Sequence, residues 1–217
     1  MKGKKAKIPK GGIPSACDRV LGAAFKAFTE NGYSETTTLH IATRANVSKR
    51  AIYENFGSKQ AVLVACITSR AARLRLSPDL PMPSDQKMLA STLTAFGTNL
   101  MGEVCHPSVM AMFRLAITEA DRSPEVARAL ESAGRTTTRL ALADLLTHAQ
   151  SRGLIVAGEP AEMARQYLAL LWEDLMITLL LRLTDAPTAE EIHRRASNAT
   201  AAFLTLYSRE IVLFPTR

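Results

Sequence analysis

The sequence has few aromatic residues, few cysteines and no long uninterrupted apolar run. Aromatic residues make up 6% of its 217 residues, and tryptophan occurs once. Cys17, Cys66 and Cys105 are odd in number and widely spaced, which is typical of reduced thiols and argues against a disulfide framework. The most apolar stretch, residues 168–183, is interrupted by three charged residues and is too short to span a bilayer. We therefore expect no membrane association.

Strand patterns and catalytic motifs are also lacking. Apolar and polar residues never alternate for more than a few positions, and a hydrophobic content of 47% with abundant Ala and Leu predicts an all-α protein. We find no G-x-S-x-G, no glycine-rich phosphate loop and no paired carboxylates on a predicted cleft, and Cys105-His106 has no third metal ligand in spacing. We expect neither an enzyme nor a bound cofactor or metal. The basic N-terminus has no apolar segment behind it, so we expect a cytoplasmic protein.

Acidic residues are scarce in the N-terminal part of the chain. Residues 1–60 hold eight lysines and three arginines against four acidic residues, whereas residues 61–217 hold sixteen of each sign. The whole formal net charge of +7 therefore lies on the first 60 residues. A one-sided basic segment is expected of a protein that neutralises DNA phosphates, although a solvated basic surface gives the same count.

The apolar spacing predicts about nine helices and two main domains. Residues 1–13 form a basic arm, which either follows DNA or is a flexible tail. A helix-turn-helix domain is predicted over 14–67, and a helical effector-binding and dimerisation domain over 68–217. The proline-rich segment 77–84 is the clearest linker. The predicted helices cover approximately residues 14–31, 37–45, 48–56, 58–76, 85–104, 108–120, 124–152, 160–183 and 189–208.

Residues 36–59, TTTLHIATRANVSKRAIYENFGSK, contain two short helical patterns joined by a tight turn. Asn46 occupies the turn, where a left-handed backbone is often required and Asn tolerates it. Ser48 is placed to cap the second helix, which then begins with two basic residues. This arrangement predicts a helix-turn-helix, a unit that lays its second helix in the major groove of DNA.

The polar residues of this segment suit contacts with DNA. Thr37 and Thr38 begin the first helix, where hydroxyls and free N–H groups bind phosphate, although one of them is also its N-cap. The hydroxyl of Ser48 is a further candidate for a phosphate contact. These roles predict that the N-terminal ends of both short helices face the DNA backbone.

The first turn of the second helix carries the candidates for base contacts. Lys49 and Arg50 lie where recognition helices reach base edges, and Arg50 is predicted to bind guanine, with phosphate as its alternative. Ala51 permits close approach or touches a thymine methyl group. Glu54 either faces solvent or accepts a hydrogen bond from cytosine, and the residues leave both roles open.

The string from Gly32 to Lys59 resembles the DNA-binding domain of the TetR/AcrR family of bacterial one-component regulators. The match rests on Gly32-Tyr33, Thr36-Thr37, Ile41-Ala42, Ala45, Val47-Ser48-Lys49, Tyr53, Phe56 and Ser58-Lys59, in order and without a gap. Asn46 and Arg50 stand where the family usually has Gly or another small residue. The segment RLAITEADRSPEVARALESAG, residues 114–134, is similar to the AefR-like group of C-terminal domains.

The resemblance implies a homodimeric regulator that is a repressor released from a pseudo-palindromic DNA operator by a small apolar effector. It implies that Tyr53 and Lys59 bind phosphate and that the last two predicted helices form the dimer interface, with Ala199, Ala202, Phe203 and Leu206 as one stripe. It also implies an effector pocket, for which the candidate lining residues are Phe96, Leu100, Met110, Phe113, His148, Trp172 and Met176. The alternative is a ligand-blind activator or architectural DNA-binding protein.

Overall fold

A computed structural model of the chain describes residues 15–71 and 82–208, and within these ranges the backbone forms eleven α-helices and no strand. This confirms the all-α class. The helices are α1 (Ala16–Asn31), α2 (Thr38–Ala45), α3 (Lys49–Phe56), α4 (Lys59–Ala71), α5 (Gln86–Val104), α6 (Pro107–Thr118), α7 (Pro124–Leu130), α8 (Thr136–Ser151), α9 (Pro160–Trp172), α10 (Leu175–Leu180) and α11 (Ala189–Tyr207). The basic arm and most of the 77–84 linker lie outside the described residues.

The helix count differs from the predicted nine because two of the predicted helices are interrupted. A π-helical turn, Glu131–Arg135, separates α7 from α8, and the N–H of Thr136 donates to the carbonyl of Glu131, five residues back. The other break is at Glu173, which has φ +43° and ends α9. Its carboxylate accepts a hydrogen bond from Arg195 of α11 at 3.2 Å. Apolar residues continue on both sides of this break, so the sequence pattern conceals it.

Side-chain caps fix the starts of several helices. Ser15 and Asp18 form a capping box at the start of α1. Backbone N–H groups also donate to the hydroxyls of Ser48, Ser58 and Thr188 at the starts of α3, α4 and α11. These contacts satisfy N–H groups that a helix end would otherwise leave without a partner. Among the described residues, no helix has the length and apolar character needed to cross a membrane.

The larger hydrophobic core lies between α5, α8, α9, α10 and α11. Tyr167 is fully buried at its centre, and its hydroxyl donates to the carbonyl of Leu93 at 2.7 Å. The ring of Phe203 meets the ring of Tyr167 edge-on, with the centroids 5.5 Å apart. Gly97 of α5 faces Tyr167 and Leu171 of α9 and Ala196 of α11 at short distance. The absence of a side chain at Gly97 therefore allows these three helices to pack together.

A second hydrophobic core unites the first four helices with α6 and α7. Phe28, Ile41 and Ile52 are fully buried in it and hold α1, α2 and α3 together. Met112 of α6 and Val126 of α7 belong to the same cluster and are buried with them. The N-terminal helices thus share their core with two helices that the sequence assigned to the C-terminal domain.

We expect Gly97→Ala to lower the free energy of unfolding by about 1–3 kcal/mol, because the new Cβ overpacks the core. That Cβ would lie 2.6 Å from the Tyr167 hydroxyl and 3.1 Å from Leu171. Gly102→Ala on the same helix is the matched control, since nothing lies within 4 Å of its Cβ. Gly102→Ala should raise the free energy of unfolding by about 0.5–1 kcal/mol, because Ala favours a helix interior over Gly. Equal effects of the two variants in urea denaturation would contradict the packing at Gly97.

Candidate nucleic-acid interface

The turn between α2 and α3 has the predicted geometry. Asn46 is left-handed, with φ 51° and ψ 52°, and the N–H of Val47 donates to the carbonyl of Ala42 at 3.0 Å. Ser48 then caps α3 by accepting a hydrogen bond from the N–H of Ala51 at 3.0 Å. Ile52 is the buried residue of α3, while Lys49, Arg50, Tyr53, Glu54 and Asn55 are exposed. Helix α3 therefore presents a polar surface opposite its single buried residue.

The start of α2 and the middle of α3 meet through two hydroxyl groups. Thr37 is the N-cap of α2 and accepts a hydrogen bond from the N–H of His40 at 3.1 Å. Thr38 is buried, and its hydroxyl lies 3.3 Å from the hydroxyl of Tyr53. The Tyr53 side chain is 47% exposed, so Thr38 orients a hydroxyl that remains accessible from outside. This pair places Tyr53 beside the free N–H groups at the start of α2.

Arg50 projects from the first turn of α3 with 86% of its side chain exposed. Its Nε donates to the Oε1 of Glu54 at 2.7 Å, one turn along the helix. Glu54 therefore contacts Arg50 in this structure. The terminal Nη edge makes no hydrogen bond within the described part of the chain. That edge is the one that matches the O6 and N7 acceptors of guanine.

Lys49 and Ala51 complete the predicted set on α3. The Lys49 ammonium lies 5.8 Å from the centroid of the Tyr53 ring, on the same exposed side of the helix. Ala51 is half-buried, and its carbonyl accepts a hydrogen bond from the Asn55 amide at 2.7 Å. Asn55 is an exposed polar residue that sequence reasoning did not select. The sequence gives no sign that the Asn55 amide donates to the helix backbone.

Lys59 lies at the start of α4 and contacts the loop between α1 and α2. Its ammonium donates to the carbonyls of Tyr33 at 2.8 Å and Ser34 at 3.3 Å. It also lies 4.3 Å from the centroid of the Tyr33 ring. Lys59, the predicted phosphate contact, therefore already has hydrogen-bond partners within the chain.

The same loop is joined to the turn after α6. The Ser34 hydroxyl donates to the Oε2 of Glu119 at 2.7 Å, and the Ser123 hydroxyl lies 3.4 Å from the Ser34 hydroxyl. Hydrogen bonds from Ser34 hold the pKa of Glu119 below its ordinary value. Burial, followed by the Glu125 carboxylate, raises the pKa of Tyr33 to about 12. Ser123 is the N-cap residue of α7 but makes no side-chain cap bond, and its hydroxyl lies near Ser34 instead.

A cavity of about 450 Å³ lies between the two hydrophobic cores. Four of the seven candidate pocket residues line it: Leu100, Phe113, Trp172 and Met176. Its remaining lining residues are Phe25, Ile67, Glu103, Val104, Val109, Met112, Leu130, Gly134, Arg135, Thr138, Arg139, Leu168 and Leu180. The sequence could not reveal this set because its members come from eight helices and the π-helical turn and are separated along the chain.

Three candidate pocket residues lie elsewhere. Phe96 is buried in the larger core, with its ring centroid 6.3 Å from that of Tyr167. Met110 is also buried in that core. His148 faces the start of α5, where its Nε2 lies 3.3 Å from the carbonyl of Pro83. Each of the three lies on a helix that borders the cavity, but on a face turned away from it.

The stripe predicted for dimerisation on α11 is divided between core and surface. Ala199 and Phe203 are buried in the larger core, whereas Ala202 and Leu206 are exposed. The stripe prediction was therefore wrong for Ala199 and Phe203, which pack within their own chain. Other large apolar side chains are exposed on and just after α10, namely Ile177, Leu181 and Leu183.

The fold and this interface define a helix-turn-helix DNA-binding regulator, and comparison with known proteins gives its family. Residues 20–66 match the family model described as bacterial regulatory proteins, tetR family. Residues 91–209 match the model described as AefR-like transcriptional repressor, C-terminal domain. The chain belongs to the TetR family of transcriptional regulators.

Individual relatives agree with this assignment. The uncharacterized HTH-type transcriptional regulator YvkB of Bacillus subtilis is 26% identical over 71% of this chain and 78% of its own length. The crystal structure of a TetR transcriptional regulator from Agrobacterium tumefaciens is 28% identical, with a TM-score of 0.75, over 90% of this chain and 96% of that one. The flavonoid-responsive regulator FrrA is 30% identical, with a TM-score of 0.72, over 90% of this chain and 98% of its own.

We expect Arg50→Ala to cost about 1–3 kcal/mol of binding free energy at one base pair and to relax specificity there, because the predicted guanine contact would be lost. Arg50→Lys is the matched control, since it keeps the charge but lacks the planar fork. Binding to a set of single-base operator variants would measure both effects. If Arg50→Ala weakens all sequences equally and Arg50→Lys restores them, Arg50 contacts phosphate instead.

Proposed function

We propose that the chain is a homodimeric, cytoplasmic one-component repressor that binds a pseudo-palindromic operator and leaves it when a small lipophilic effector binds. The observation that carries this proposal is the composition of the cavity wall. Phe25 of α1 and Ile67 of α4 line the cavity together with residues of α5 to α10 and the π-helical turn. A molecule bound there would touch helices of the DNA-binding part and helices of the C-terminal part at once.

The proposed DNA contacts follow from the surface of α2 and α3. Arg50 and Lys49 would reach base edges from the first turn of α3, with Ala51 close to the groove. Thr37, Thr38, Ser48 and Tyr53 would bind phosphates around it, and Lys59 would exchange loop carbonyls for a phosphate. Phosphate contacts of this kind set the register of the protein on DNA, while base contacts select the sequence.

The proposed dimer uses the two last predicted helices, which the structure divides into α9, α10 and α11. Leu181 is 61% exposed, Leu183 69% and Leu206 64%, and a dimer interface would remove these apolar side chains from water. A two-fold interface would bury the same apolar patch on both copies. It would also bring the two α3 helices to the spacing of successive major grooves, about 34–36 Å.

The proposed effector is lipophilic because most of the cavity wall is apolar. A volume of about 450 Å³ lies within the range of small-molecule sites. The relative FrrA is flavonoid-responsive, which supports an effector of comparable size and apolar character in this chain.

The contacts between α6 and the α1–α2 loop support a route from cavity to DNA. Phe113 of α6 lines the cavity, and Glu119 just after the helix holds Ser34. The carbonyls of Tyr33 and Ser34 hold Lys59 in turn. A shift of α6 caused by a ligand would therefore move a residue proposed to bind phosphate.

Selection from a random DNA library at physiological salt tests the operator, and we expect a pseudo-palindrome. Its half-sites should lie one helical turn apart, or a multiple of it, since the two α3 helices are related by a two-fold axis. Retention of all sequences alike would contradict this function and favour the architectural alternative. A selected operator that no lipophilic compound releases would favour a ligand-blind regulator.

We expect Leu181→Glu to shift the protein from dimer to monomer, because it places a charge in the proposed apolar interface. Leu140→Glu on α8 is the matched control, since Leu140 is 60% exposed and lies outside that interface. Sedimentation velocity would measure the oligomeric state of both variants, and operator binding should weaken only for the monomeric one. A dimeric Leu181→Glu protein would remove this patch from the interface.

A further inference from the structure

The polar groups of the cavity wall are few, and three of them have partners within the chain. Arg139 forms an ion pair with Glu131, and the Nη1 of Arg135 lies 3.4 Å from the Oε2 of the same carboxylate. The Thr138 hydroxyl donates to the carbonyl of Gly134 at 3.0 Å. Both arginines therefore contact the one carboxylate of Glu131, which offsets one of their two positive charges. These polar groups are already engaged within the described part of the chain.

Glu103 differs from the other polar residues of the wall. Its side chain is half-buried, and its carboxylate makes no ion pair or hydrogen bond within residues 15–71 and 82–208. A bound ligand would cover this carboxylate, and a covered charge is unfavourable unless it is paired, so a ligand of opposite charge is favoured. Small-molecule sites commonly use one such group to orient a largely apolar ligand.

The position of Glu103 along α5 strengthens this argument. It lies in the last turn of the helix, which ends at Val104. The final carbonyl groups of a helix carry partial negative charge, which favours cations and disfavours carboxylates. The last turn of α5 contains no basic residue to offset either charge. The helix end and the carboxylate therefore attract a cation at the same edge of the cavity.

We propose that the cavity binds a lipophilic cation, an amine or quaternary ammonium compound with an apolar body. This inference rests on the proposed function, in which the cavity is the effector site. The cationic nitrogen lies against Glu103, and the apolar body contacts side chains such as Phe113, Leu168 and Trp172. Aromatic rings in the wall suit such a ligand further, because their faces attract cations.

The test uses the single tryptophan of the chain, Trp172, which lines the cavity and reports its occupancy by fluorescence. Three compounds with one tail, decyltrimethylammonium, decanoate and decanol, are titrated into the full chain below their micelle concentrations. We expect decyltrimethylammonium to bind about tenfold more tightly than decanol, because its charge is attracted by the Glu103 carboxylate. We expect decanoate to bind more weakly than decanol.

The matched variants are Glu103→Gln, which keeps the shape of the side chain, and Glu190→Gln. Glu190 is exposed in the first turn of α11, outside the cavity wall, so its replacement changes the net charge equally. Glu103→Gln should remove the preference for the cation and leave the affinity for decanol unchanged. Glu190→Gln should leave all three affinities unchanged.

The outcomes separate this inference from the function on which it rests. Equal binding of the three compounds, or a preference for decanoate, would overturn the cationic class while leaving a lipophilic effector site. A cation preference that survives Glu103→Gln would also overturn it. A Trp172 signal that none of the compounds changes would contradict the effector site itself. The comparison of compounds on the unmodified chain decides the class even if Glu103→Gln does not fold.

Discussion

The apolar packing of α6 and α7 against α1 and α4 is the constraint on which the rest of the structure depends. Met112, Leu115 and Val126 are buried in one cluster with Phe28 and Ile52. The DNA-binding helices thus complete their hydrophobic core with side chains from the C-terminal part. Because protein interiors are close-packed, a shift of α6 or α7 strains this core unless α1 to α4 move as well. The position of α3 is therefore tied to that of the C-terminal helices.

The cavity shares residues with this core, which gives a ligand direct mechanical access to the DNA-binding helices. Phe25, Ile67, Met112 and Leu130 are buried members of the N-terminal core and also line the cavity. A ligand larger than the free space would have to displace side chains that support α1 and α4. A close-packed core changes between two discrete packings more readily than it deforms continuously. The arrangement favours a switch between two positions of the DNA-binding helices.

The parts of this structure that the sequence predicted are those determined by neighbouring residues. Asn46 in its left-handed turn and Ser48 at its cap depend on contacts a few residues away, so the α2–α3 unit was predicted closely. The cavity depends on which helix faces converge, and helical spacing does not show that Phe96 and Met110 lie outside its wall. The break at Glu173 was also hidden, because a carboxylate from one helix is held by Arg195 of another. Long-range contacts of this kind leave no periodic signal.

Lys59 shows how the fold would place the proposed DNA contact in competition with internal contacts. Its ammonium is held by the carbonyls of Tyr33 and Ser34, so a phosphate bound there would have to replace or share these partners. Glu119, which follows α6, accepts a hydrogen bond from Ser34. The position of the α1–α2 loop, and of the lysine bound to it, therefore depends on this carboxylate. Hydrogen bonds near the surface are individually weak, and couplings between sites are typically about 1–3 kcal/mol. A link of this strength suits a regulator, because it biases operator binding without preventing the DNA-binding helices from folding.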